Sequence, residues 1–252
     1  MLLTDQEYIR FSRHIMLDEV GEAGQIAIKQ AHILIVGMGG LGCAAAQYLA
    51  AAGIGQLTLI DHDNVEVSNL QRQILFTTED VGGAKVTIAK NKLTAINPKV
   101  KINTFYQSVF DLNLTALMPK VDVVLDCTDN IDTRYFINYT CLKAKRKLVS
   151  ASAIQGQGQL ISFDFAQKGS PCYQCLVPEK VSSTRNCSSL GVLSTLLGVM
   201  GSLQATEVLR LILNEYQILN QLLIFDAWQM SFKRLVLTAD PECQCCKHPI
   251  KG

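Results

Sequence analysis

The stretch HILIVGMGGLG (32–42) joins an apolar, β-branched run to a turn containing four glycines. An apolar run of this kind reads as a strand buried on both faces. The segment after it, CAAAQYLAAAG (43–53), is rich in Ala and Leu and closes on Gly53, as a helix does. Strand, glycine-rich turn and helix, in that order, form the context of a phosphate-binding turn. Gly37 permits the tight turn, Gly39 lets the backbone approach a phosphate, and Gly42 allows helix and strand to close on each other. Gly40 is additional and brings the backbone nearer still. The helix N-terminus then offers free N–H groups to an anion. The next apolar run, QLTLID (56–61), ends in Asp61, placed to accept hydrogen bonds from a ribose.

Outward from this unit the chain keeps alternating. Thr4-Asp5-Gln6-Glu7 caps a short first helix, and residues 21–30 form a second. Residues 85–97 have helical spacing and stop at Pro98. VKINTF (100–105) reads as a strand, residues 112–118 as a short helix, and VDVVLDC (121–127) as a buried parallel strand. A helix over 130–145 and a strand KLVSASA (147–153) follow. The fold class is therefore α/β, a Rossmann-like doubly wound and mostly parallel sheet. After Gly156 the pattern turns to extended pieces, QLISFDF (159–165), LLIFDAW (222–228) and FKRLVLT (232–238), which extend the sheet with antiparallel strands. One domain over 1–252 is expected: N-terminal helices in 1–30, a nucleotide-binding half in 31–155, and a second half in 156–252. The polar segment from Pro178 to Ser189 reads as flexible.

Composition sets the outer limits. Of 252 residues, 48% are hydrophobic and 18% charged, enough to bury a large core. The net charge of +1, without a Lys/Arg block, gives no basic footprint for nucleic acid. The longest uncharged apolar run, 190–205, is short for a membrane span and leads into Glu207 and Arg210. Nine cysteines without a secretory segment point to a reducing, cytoplasmic setting, where thiols serve metals or chemistry.

Two cations follow the second strand, Arg72 and Lys85. A triphosphate carries roughly four charges and needs Arg, Lys and Mg²⁺ to offset them, whereas backbone N–H groups serve a dinucleotide's pyrophosphate. Asp129, in DCTDN (126–130), lies past the end of a strand, where such sheets bind ligands and a carboxylate can hold Mg²⁺. Its ordinary alternative is the N-cap of the following helix. Together these groups favour ATP over NAD(P), and no Walker GKS/GKT element is present.

With those residues in view, the chain resembles the ThiF/MoeB/HesA family of ubiquitin-activating-enzyme-like adenylyltransferases along nearly its whole length. The resemblance is carried by RFSRHI (10–15), GMGGLG (37–42), SNLQRQ (68–73), the helix of Lys85, DCTDN (126–130), two Cys-x-x-Cys pairs and GVMGSLQATE (198–207). It implies ATP-dependent adenylylation of the C-terminal glycine of a ubiquitin-like sulfur carrier. An ATP·Mg²⁺ site would be formed by Gly40, Asp61, Ser68, Asn69, Leu70, Gln71, Arg72, Lys85, Asp129 and Asn130. Arg13 would enter that site from the partner subunit of a homodimer. The attacking carboxylate is already ionised, so no general base is needed. The histidines at 14, 32, 62 and 248 form no metal or triad spacing and read as structural.

Cys172-Tyr-Gln-Cys175 and Cys243-Gln-Cys-Cys246 are two chelating hooks, and two hooks make a Cys₄ zinc site. The resemblance places a structural Zn²⁺ there. Cys245, inside the second pair, reads as an exposed thiol; Cys43, Cys127 and Cys141 read as small core residues. Cys187, beside Arg185 in STRNCSSLG (183–191), is a candidate for sulfur or carrier handling.

Within the family, LQRQILFTTED (70–80) and ASAIQGQGQL (151–160) look more like ThiF of thiamine thiazole synthesis. GLGCAAAQYLAAAGIGQLTL (40–59) looks more like MoeB of molybdopterin synthesis. A ThiS-like carrier is the expectation and a MoaD-like carrier the alternative. No rhodanese-like stretch follows the second Cys pair, so a cysteine desulfurase or other protein would supply sulfur. Two readings from other classes compete, an NAD(P)-dependent oxidoreductase and a non-catalytic binding module. The first leaves Arg72, Lys85 and the Cys pairs unexplained; the second leaves unexplained why every ATP ligand is present.

Overall fold

The computed structural model describes residues 2–178 and 191–247. A reciprocal capping box opens α1 (Asp5–Arg10): the Glu7 N–H donates to Thr4 Oγ1, and the Thr4 N–H donates to Glu7 Oε2. Then come α2 (Ser12–Ile15), α3 (Gly21–Gln30), β1 (His32–Val36), α4 (Gly40–Ala52) and β2 (Gln56–Ile60). Helix α5 (Lys85–Ile96) stops before Asn97, which adopts an extended conformation ahead of Pro98. After β3 (Lys101–Phe105), the expected 112–118 helix is shorter. It is α6 (Leu114–Leu117), capped by Asn113 and passing into a 3-10 turn at Pro119, which has no N–H to continue the ladder. The chain goes on through β4 (Val123–Asp126), α7 (Ile131–Ala144), β5 (Lys147–Ile154) and β6 (Gln157–Asp164). The last elements are α8 (Tyr173–Leu176), α9 (Ser194–Ile212), β7 (Gln221–Asp226) and β8 (Ser231–Val236).

The eight strands of the described residues form one sheet in the order β3-β2-β1-β4-β5-β6-β7-β8. The first five are parallel and the last three join antiparallel, as the two halves of the sequence predict. Strand order reverses between β1 and β4, and there the carboxyl ends open the crevice in which such sheets bind ligands. Alternate residues face opposite layers. Ile33, Ile35, Leu57 and Leu59 join the core shared with α4, α5 and α9, whereas Leu34, Val36 and Ile60 face the core shared with α6, α7 and the cysteine hooks.

Glycines set two close approaches. A Cβ on Gly42 would lie 2.0 Å from the Gly37 oxygen, and one on Gly201 would lie 2.5 Å from the Leu41 oxygen. The first contact seats α4 on the β1 turn; the second lets α9 lie against α4. From Ser194 on, the apolar run ending at Ala205 belongs to α9, where Leu196, Met200 and Leu211 are buried. Among the described residues no helix is long and apolar enough to cross a membrane.

Gly42→Ala should therefore lower stability by about 3 kcal/mol, because backbone rather than a flexible side chain must move. A thermal scan should show a midpoint about 10 °C lower. An unchanged midpoint would mean that the turn and α4 separate without cost.

Candidate nucleotide site and cysteine cluster

β1 pairs with β2 up to Val36↔Ile60 and with β4 up to Val36↔Asp126. The glycine turn thus leaves β1 between Asp61 on one side and Cys127 on the other. The two oxygens of Asp61 are both engaged: Oδ2 accepts from the Met38 N–H at 2.6 Å and Oδ1 from the Asp63 N–H at 2.8 Å. Burial pushes this carboxyl above its usual value, and the two N–H bonds pull it back. Each oxygen keeps a second lone pair, which is what a ribose hydroxyl requires. Asp61 therefore builds the turn as well as facing it.

The SNLQRQ segment folds over this turn. An ideal Cβ on Gly40 would stand 3.2 Å from the Arg72 oxygen, and one on Gly39 would meet nothing nearer than Gln73 Nε2 at 3.8 Å. Gly39 is the open position of the cradle. The Gln73 carboxamide oxygen is buried and has no hydrogen-bond partner among the described residues. Arg72 is half-buried and donates to the Ser68 oxygen at 3.0 Å. Ser68 and Asn69 are tied into their own 3-10 turn through Glu66, Leu70 packs on the core, and Gln71 is exposed. Lys85 is buried, 4% exposed, and its Nζ lies 2.8 Å from Asp63 Oδ2. Asp63 and Gln73 are residues that the sequence reading missed, although Gln73 stands within the quoted SNLQRQ and Asp63 two positions past Asp61.

Asp129 is exposed, and its carboxylate makes no hydrogen bond or ion pair among the described residues. The N-cap of α7 is Asn130, whose Oδ1 accepts from the Thr133 N–H at 2.9 Å. The capping alternative for Asp129 is thereby removed. His62 is exposed, and with Asp61 and Asp63 it forms a second group of candidate ligand atoms within 4.8 Å, at odds with the expectation that it joins no metal spacing. Arg13 is exposed and remote. Its neighbour Phe11 packs against Gly53, at the C-terminal end of α4, whereas the glycine turn lies at the other end. With 13 residues, α4 is about 20 Å long. Arg13 cannot reach the turn of its own chain. Cys187 lies outside the described residues, as do His248 and most of the 178–189 segment.

The two Cys-x-x-Cys pairs converge. Cys172 Sγ is 3.7 Å from Cys243 Sγ, Cys175 Sγ is 3.5 Å from Cys246 Sγ, and all four sulfurs lie within 4.8 Å of one another. Four sulfurs about 2.3 Å from a tetrahedral centre stand about 3.8 Å apart, so the donor set fits zinc. Cys245 departs from expectation: it is 5% exposed and accepts from Asn138 Nδ2 at 3.3 Å, so it is a buried thiol, and it lies against Cys172 of the cluster. Cys43, Cys127 and Cys141 are buried as expected, and burial pushes the Cys43 thiol up to about 12.

Fold and site together define a class: an α/β protein whose doubly wound parallel half carries a glycine-rich ligand turn and whose antiparallel half carries a four-cysteine hook. The chain belongs to the ThiF family, whose model matches residues 11–246. It is 43% identical over 245 residues to the molybdopterin-synthase adenylyltransferase of Escherichia coli, covering 97% of this chain and 98% of that one. It is 44% identical over 248 residues to the adenylyltransferase and sulfurtransferase MOCS3 of Anopheles gambiae, again over 97% of this chain. It spans only 56% of that relative's length. Among solved structures, E. coli MccB with ATP superposes with a TM-score of 0.80 at 23% identity, over 96% of this chain and 75% of that one. PaaA does so with 0.79 at 22%, over 93% and 84%. These two likenesses concern the fold.

Asp61→Asn turns one acceptor into an amide donor facing a backbone N–H. Stability should fall by about 2 kcal/mol, the scale of a buried group left unpaired. Chemical denaturation followed by circular dichroism measures it. A loss near zero would show that the turn holds without its carboxylate.

Proposed function

We propose that this protein uses ATP and Mg²⁺ to adenylylate the C-terminal glycine of a ubiquitin-like sulfur carrier of the molybdopterin-synthase type. The observation that carries the reading is the convergence on one crevice of the glycine turn, Asp61, Arg72 and the loop of Asp129. The expected thiamine-type carrier gives way to the molybdopterin-type one, because the similar relatives are named for molybdopterin synthase or MOCS3.

In this reading the carrier's terminal carboxylate attacks the α-phosphorus of ATP, and the bond to pyrophosphate breaks. Two mutually repelling anions must be held in line, so positioning and charge neutralisation supply the catalysis. Asp61 orients the adenosine end; Arg72 and Lys85 take up the charge of the departing pyrophosphate. Lys85 arrives held by Asp63, which fixes its ammonium in advance. Mg²⁺ on Asp129 would supply the remaining neutralisation. Arg13 acts from the second copy of a homodimer, since its own site is a helix length away; Ile9 and Met16, 77% and 72% exposed on either side of it, suit burial against that copy. The Cys₄ hook holds a structural Zn²⁺, and a sulfur donor such as a cysteine desulfurase acts afterwards. Cys187 is the candidate thiol for that later step. The whole chain, 1–252, works as one unit.

ATP–pyrophosphate exchange with purified MoaD-like and ThiS-like carriers, supplied separately, tests the reading. Exchange should depend on the MoaD-like carrier; exchange with the ThiS-like carrier alone would return the thiamine assignment, and exchange with neither would end both. Arg72→Ala, Lys85→Ala and Asp129→Ala should each lose about a hundredfold or more. Arg13→Ala mixed with Lys85→Ala chains should regain activity in confirmed mixed dimers.

Elemental analysis should find one zinc per chain, lost with lowered thermal stability on replacing Cys172, Cys175, Cys243 or Cys246. Cys245→Ser should retain it. Zinc that depends on Cys245 instead of Cys243 or Cys246 contradicts the assignment.

A further inference from the structure

The buried face of a helix is normally apolar, yet α7 carries two polar residues one turn apart on that face, Arg134 and Asn138. Arg134 and Asn138 are 6% and 0% exposed. Arg134 Nη1 donates to Asp126 Oδ2 at 3.2 Å and to Ser150 Oγ at 3.0 Å. Its Nη2 donates to the Ala151 oxygen at 2.9 Å and to the Thr128 oxygen. The other Asp126 oxygen accepts from Thr128 Oγ1 at 2.6 Å and from the Thr128 N–H at 3.1 Å. On its far side, the guanidinium carbon lies 5.8 Å from the centre of the Tyr173 ring. Tyr173 follows the metal-hook residue Cys172 and donates its N–H to Asn138 Oδ1 at 2.9 Å.

Charge balance alone does not account for this arrangement. Asp126 would be compensated by any cation of the right reach, including a lysine. The two carbonyls are the informative partners, because Thr128 belongs to the loop that carries Asp129 and Ala151 belongs to the neighbouring strand β5. A planar fork can bond both at once; a single ammonium cannot hold both and the carboxylate in the same geometry.

We propose that Arg134 is a positioning residue for the nucleotide site: it ties the Thr128–Asn130 loop to β5 and so sets where Asp129 points, with Tyr173 of the cysteine hook covering the guanidinium. The inference rests on reading Asp129 as the Mg²⁺ carrier. It makes α7 the element that connects the metal hook to the nucleotide crevice.

The test measures binding of a non-hydrolysable ATP analogue to the full chain by calorimetry across a Mg²⁺ series. Circular dichroism and zinc content serve as structural controls. In Arg134→Lys the Mg²⁺ needed for half-maximal binding should rise about tenfold, while the weak Mg²⁺-free binding stays as in the wild type. Ser150→Ala removes one bond of the same network and should shift the Mg²⁺ requirement in the same direction by about threefold. It decides the matter alone if Arg134→Lys does not fold. A wild-type Mg²⁺ requirement in the folded variants overturns the proposal, as does an equal loss of binding with and without Mg²⁺, which marks Arg134 as structural. Failure of the wild type to bind the analogue overturns the nucleotide reading itself, and this inference with it.

Discussion

The bond from the Met38 N–H to the Asp61 carboxylate, 2.6 Å long and buried, is the contact on which the site depends. A chain that turns sharply out of a buried strand exposes N–H groups that nothing in the strand ladder can satisfy. Here the neighbouring strand supplies the acceptor, so the end of β2 holds the turn after β1. That pins the glycine turn between Asp61 and Cys127, and every other group of the crevice is placed relative to it. The same carboxylate carries a buried negative charge, which is tolerated because two N–H groups converge on it.

A second buried polar assembly lies on the other side of the sheet's switch point. Arg134 and Asp126, 7% and 1% exposed at their side chains, form an ion pair whose remaining donors and lone pairs find Ser150, Thr128 and Ala151. Breaking one partner of such a pair costs about 3–5 kcal/mol, because the survivor stays buried and charged. An apolar pair would hold α7 to the sheet as well. The directional network adds a defined path for the loop that leaves β4. The antiparallel half then contributes Tyr173 and the cysteine hook against the same helix, a connection between the two halves beside the β5–β6 pairing and the packing of α9 on α4.

Much of this was legible from sequence because it is encoded over short distances. Strand and helix periods, the glycine turn and the capping box each depend on residues a few positions apart. The eight strands and the switch to antiparallel pairing after Gly156 were read correctly for that reason. The carrier type was read from short stretches, and the relatives favour the molybdopterin-type alternative over the thiamine-type reading. That similarity runs along 97% of the chain.

By itself the sequence determined the alternation of elements, the two faces of each strand, the place of the glycine turn and the identity of the four cysteines that cluster. These follow from local periodicity and from the backbone freedom of glycine. Only the tertiary structure decided which polar groups meet. The Asp63–Lys85 pair, the burial of Cys245 beside Asn138 and the fork of Arg134 all join residues on different elements. Cys172 and Cys243 stand 71 positions apart in the chain and 3.7 Å apart in space. Such meetings depend on strand order and helix placement, and a local pattern carries no information about the partner at the far end of the contact.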